Sequence, residues 1–176
     1  MILANILGAP SAGKSTGAAY IFSKLKLKGI NAELVTEFAK DKVWENNMGA
    51  LSNQAYMFGQ QYYKIDRCAD KVDVVVTDSP LILSILYNRS ELLGEEFNNV
   101  VAKVHKSYNS LNYLLLRDKP YNPVGRVQSE KESDALVPTL ENILKRYDID
   151  YEVLDGNIES YNKIVDRIIE ELNKNE

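Results

Sequence analysis

A chain of 176 residues has room for one ordinary domain, and 45% apolar with 26% charged residues is the composition of a chain that folds around a core. Lys and Arg number 21 against 25 Asp and Glu, a formal charge of −4, so the surface as a whole does not attract phosphates and any anionic ligand must be held by a local motif. One cysteine, Cys68, and one histidine, His105, exclude an internal disulfide and a His/Cys zinc site.

No uncharged apolar run approaches the ~18 residues that cross a bilayer, and the N-terminus lacks the basic start and small-residue cleavage site of a signal peptide. We therefore expect a cytoplasmic protein without a membrane partner, folded as a single domain over 1–176.

Residues 2–7 (ILANIL) form a short apolar run that meets Gly8, the pattern of a buried strand. From Lys14 to Lys28 the apolar residues fall near helical spacing, with Gly29 in the place of a C-terminal helix glycine. Residues 32–36 read as a second strand and the stretch from Asn53 to Ala69 as a helix. Residues 72–77 (VDVVVT) are β-branched and nearly all apolar, as a strand covered on both faces must be. Helical patterns return at 80–87 and 91–108. A strand follows at 111–116, an irregular loop at 117–129, a helix at 130–147, a strand at 151–154 and an amphipathic helix at 158–173. Strands alternating with helices predict an α/β sandwich around a parallel sheet. A loop as long as 117–129 invites a functional reading.

Gly8-Ala9-Pro10-Ser11-Ala12-Gly13-Lys14-Ser15 fits G-x-x-x-x-G-K-[ST] in full, between a predicted strand and a predicted helix. Glycines let backbone N–H groups converge on phosphate oxygens, and the helix N-terminus adds partial positive charge. We expect Gly8, Ser11, Ala12, Gly13, Lys14, Ser15 and Thr16 to bind the phosphates of a nucleoside triphosphate. Lys14 supplies a mobile charge, and Ser15 offers a hydroxyl to Mg²⁺, a cation that takes hard oxygen ligands. The alternative is a fortuitous match in a glycine-bearing turn, against which strand, spacing and helix agree. Asp78, at the carboxyl end of the apolar strand 72–77, is the expected second Mg²⁺ ligand, with a turn or helix-cap role ahead of Pro80 as its alternative.

The loop GAPSAGKST, the segment ELVTEFAK at 33–40, VDVVVTDSPL at 72–81 and RDKPYNPVGRVQ at 117–128 together resemble a group of small P-loop kinase-like proteins of the AAA type. These are common in bacteriophages and similar to nicotinamide riboside kinase domains. The resemblance implies a P-loop NTPase three-layer sandwich, a five-stranded parallel sheet in the order 2-3-1-4-5, ATP with Mg²⁺, and a mobile lid at about 117–129. It implies a reaction class without an acceptor, since related kinases act on deoxynucleotides or on hydroxymethylated bases in DNA. If phage-encoded, the protein would work in the host cytoplasm.

On the acceptor side, Glu37 lies just past the second strand, where a carboxylate can take the proton of an attacking hydroxyl or hold a sugar hydroxyl. A surface pair with Lys40 is its alternative. Arg117, Lys119 and Arg126 face the single acid Asp118, a local reversal of the chain's sign. Arg117 and Arg126 are therefore candidate catalytic lid arginines, or simply solvated loop residues. Among the amides and aromatics of 54–63, Gln61 and Tyr62 are candidate acceptor contacts, with tyrosines at the core boundary as the alternative, and Arg89 is a candidate for an acceptor phosphate or else a surface residue near Glu91. Met57 and Phe58 are expected in the core, Cys68 as a small buried hydrophobe, and His105 in a solvent-like helical setting. The reading is a Mg²⁺-dependent phosphotransferase acting on a nucleoside, nucleotide or related acceptor. Its alternatives are a kinase of a hydroxymethylated base in DNA, with nucleic acid as partner, and a nucleotide-binding switch without a small acceptor.

Overall fold

The computed structural model describes residues 1–124 and 129–174. Five strands, β1 (Ile2–Gly8), β2 (Ala32–Val35), β3 (Val74–Thr77), β4 (Asn109–Leu116) and β5 (Glu152–Asp155), form one sheet in the order β2-β3-β1-β4-β5. Every neighbouring pair is parallel. β1 lies at the centre and all seven of its residues are buried, which is why it reads as an apolar run in which Asn5 is the one polar side chain.

Strand alternation sends Ile2, Ala4 and Ile6 to one face, where they meet Ile21 and Leu25 of α1 (Lys14–Leu27) and Ile164, Val165 and Ile168 of α8 (Ile158–Lys174). Leu3 and Leu7 go to the other face. Four helices cover it: α4 (Gln54–Asp66), α5 (Leu83–Tyr87), α6 (Gly94–Lys106) and α7 (Glu130–Arg146). Gly29, with φ +80°, takes the left-handed conformation that ends α1, as its place in the sequence predicts.

Two elements differ from the sequence reading. The segment after β2 folds into short helices, α2 (Phe38–Trp44) and α3 (Met48–Ser52), in neither of which is a residue buried. Each has seven residues or fewer and places none of them in a core, so they leave no sustained periodic signal. His105 is not in a solvent-like setting: it is 1% exposed, on the stripe of α6 that also buries Val101 and Ala102.

Neither ring nitrogen of His105 meets a hydrogen-bond partner among the described residues. Burial pushes its imidazole down to about 4, with the nearby Asn112 side chain acting weakly the other way. Above pH ~6.5 the ring is neutral in both folded and unfolded chains. Between there and about 4 the unfolded chain takes up a proton that the folded chain refuses, so stability falls as the pH falls. The loss amounts to roughly 3 kcal/mol across the window. His105→Leu should flatten this acid limb in urea midpoints measured from pH 7 to 4, and an equally steep limb would contradict the assignment.

Candidate active site

The carboxyl ends of the strands meet at one edge of the sheet, where open parallel sheets hold their ligands. β1 ends in Gly8 at φ +143°, and the chain then turns through Ser11 at φ +69° and Gly13 at φ +89° before α1 begins. Gly13 caps α1 without a side chain, so no side-chain acceptor competes for the amides of its first turn. The loop is shaped from within by Ala12 N–H donating to the Ala9 carbonyl (3.2 Å) and Lys14 Nζ donating to the same carbonyl (3.0 Å).

Outside elements hold this loop from two sides. The Tyr161 hydroxyl of α8 donates to the Gly13 carbonyl at 3.1 Å, and Ser133 of α7 donates to the Pro10 carbonyl at 2.9 Å. The turn after β5 presses on it so closely that a Cβ on Gly156 would lie 2.2 Å from the Ala12 carbonyl oxygen. The backbone of the loop is thus held by α7, α8 and the turn after β5.

A cavity of about 570 Å³ runs from this loop across the strand ends. Ser11, Gly13, Lys14, Ser15 and Thr16 line it from the loop and α1, and Glu37, Phe38, Gln54, Tyr87 and Arg89 from other elements, with Val43, Met48, Leu51, Met57 and Leu83 as apolar lining. Burial pushes the Tyr87 hydroxyl up to about 12, with the Glu37 carboxylate adding to the shift and Arg89 opposing it. The charges of both residues are therefore felt at this phenol. The spacing of Gln54 and Tyr87 on α4 and α5 carried no signal that singled them out from core residues.

Asp78 follows β3 and is 4% exposed. Its carboxylate accepts the Glu37 backbone N–H at 3.0 Å, while the cap residue of α5 is Ile82, with no side-chain cap bond, so Asp78 does not cap that helix. Gln61 lines the cavity wall, but its amide is committed: Oε1 accepts the Phe38 N–H at 3.0 Å. Tyr62 is not brought to the cavity; it stacks on Phe58 at 6.0 Å, against the core. Arg117 pairs with Asp134 and Glu130 at the start of α7 and lies over the Tyr121 ring. Arg126 lies outside the described residues.

A parallel sheet in this order, with a glycine-rich turn leading from its central strand into a helix, defines the P-loop NTPase fold of the kinase-like type. The family model described as an AAA domain matches residues 3–160, and the chain belongs to that family. Among solved structures it is similar to the deoxyadenosine kinase from M. mycoides with bound dATP, at a TM-score of 0.57 and 18% identity, covering 98% of this chain and 100% of that one. No curated protein matches the sequence. No helix among the described residues is long and apolar enough to cross a membrane.

Proposed function

We propose that the protein transfers the γ-phosphoryl group of ATP to a hydroxyl of a nucleoside or nucleotide. The observation that carries this reading is the single cavity joining the phosphate loop to Glu37, Tyr87 and Arg89. A switch would need only the loop; the continuous space beyond it is that of a second substrate. The structural similarity to a deoxyadenosine kinase supports the same acceptor class.

Lys14 and the amides of the loop and first helical turn bind and orient the triphosphate. Glu37 accepts the proton as the acceptor oxygen bonds to the γ-phosphorus and the β–γ bridging bond breaks, releasing ADP. The apolar wall takes the flat body of a base and excludes water from the transfer. Gln54, 9% exposed with its Nε2 donating to the Leu51 carbonyl at 2.9 Å, stands in that wall as the amide that meets the base edge. Arg89 receives an acceptor phosphate where there is one. Arg126 enters as a lid arginine on its place in the sequence alone.

The donor set suits Mg²⁺. Ser15, in the first turn of α1, offers a hydroxyl and Asp78, just past β3, a carboxylate, both hard oxygens. Mg²⁺ when bound would offset charge on the β- and γ-phosphates.

The test is a panel of nucleosides, nucleotides and hydroxymethylated DNA incubated with ATP and Mg²⁺. One phosphorylated small acceptor per ATP consumed is expected. Phosphorylated DNA alone would move the reading to a nucleic-acid kinase, and slow hydrolysis unaffected by any acceptor would move it to a switch.

A further inference from the structure

Glu37 sits between a strand that ends at Val35 and the two helices α2 and α3, which bury no residue. Core packing therefore fixes it from one side only, and its position depends on how the turn backbone is held. Three side chains hold it. Lys64 Nζ donates to the Thr36 carbonyl at 3.0 Å, Asp78 Oδ1 accepts the Glu37 N–H at 3.0 Å, and Gln61 Oε1 accepts the Phe38 N–H at 3.0 Å. The peptide between Thr36 and Glu37 is thus gripped at both its polar ends, and the next peptide at its N–H.

Gln61 and Lys64 stand three residues apart on α4, so both reach the turn from one helix face. Gln61 is 5% exposed, and its Nε2 lies 3.4 Å from Thr77 Oγ1, which in turn accepts the Ser79 N–H at 3.1 Å. Its amide orientation is set by this network, because only the oxygen can accept from Phe38. An amide used in this way has little left to read a base.

We propose that Gln61 is a positioning residue: it acts through the backbone of Phe38 to hold Glu37 at the acceptor, and it does not select the base. This rests on the reading of Glu37 as the proton acceptor. It also ties the two halves of the site together, since Gln61 through Thr77, and Asp78 directly, link the acceptor turn to the end of β3.

The test compares Gln61→Met, which keeps length and loses the acceptor, with Gln61→Glu, which keeps a carbonyl-type acceptor in either protonation state. Amide exchange at Phe38 and steady-state kinetics over several nucleosides are the readouts. For Gln61→Met, exchange should rise about tenfold and kcat fall about tenfold, the loss expected for one buried hydrogen bond, with KM for the acceptor and the ranking of bases unchanged. Gln61→Glu should restore both to within about threefold of the parent. If Gln61→Met does not fold, Lys64→Met should speed exchange at Phe38 and lower kcat in the same pattern. A base-dependent rise in KM with kcat retained, or unaltered exchange at Phe38, would overturn the proposal. Full activity in Glu37→Gln, beside faster Phe38 exchange in Gln61→Met, would remove the base and leave the backbone clamp standing, so the two failures are told apart.

Discussion

Lys14→Ala should abolish phosphoryl transfer, lowering kcat by about 10²–10³-fold or more, while the chain stays folded. Both halves of this expectation follow from where the side chain lies. Lys14 is half-buried at the loop end of the cavity, and its ammonium donates to the Ala9 carbonyl at 3.0 Å. Losing that bond costs about 1 kcal/mol, small against the ~5–15 kcal/mol that holds a domain together. The loop is also gripped by Tyr161 and Ser133, whose bonds to Gly13 and Pro10 the substitution leaves alone. What disappears is the cationic side chain of the cradle, the group proposed to follow charge onto the transferring phosphoryl oxygens. Circular dichroism and thermal melting would show the fold kept, and a variant that transfers at the parent rate would remove Lys14 from the site.

Glu37→Gln should lower kcat by about 10²-fold, with ATP binding retained. The change is isosteric and leaves the Glu37 backbone N–H on Asp78, so the turn keeps its place. What is lost is the carboxylate's charge and with it the ability to take a proton. Turnover unchanged in this variant, measured at saturating acceptor, would return the residue to a structural role.

The phosphate loop was legible because its chemistry is local. Eight consecutive residues between a strand and a helix dictate a backbone path, and Ser11 and Gly13 take the positive φ that this path needs. The buried strands were legible for a similar reason, since β1 and β3 have no wet face and carry one polar residue each, the buried Asn5 and Thr77, in otherwise apolar runs. The proposed acceptor end was legible only in part: Glu37 and Arg89 could be singled out by residue type and place, while Tyr87 and Gln54 could not, because these residues come from separate elements. Glu37, Tyr87 and Arg89 meet only once the sheet is ordered, and α2 and α3 are too short, with no buried residue, to announce a helix by periodicity. Gln61 could be singled out by its residue type, yet its partner is the backbone of Phe38, 23 residues earlier, which no local pattern encodes. His105 was misread because Lys103 and Lys106 flank it; the spacing Val101, Ala102, His105 on one helical stripe was the signal for burial.

The most direct measurement is a titration of the protein with ATP and Mg²⁺ followed by its thermal midpoint, with Lys14→Ala alongside. At a hundred times the dissociation constant, binding adds about 2.7 kcal/mol to the native state. For a chain of this size that should raise the midpoint by roughly 5–10 °C, with a smaller rise in Lys14→Ala. A midpoint that stays fixed at every nucleotide concentration would contradict the account at its root.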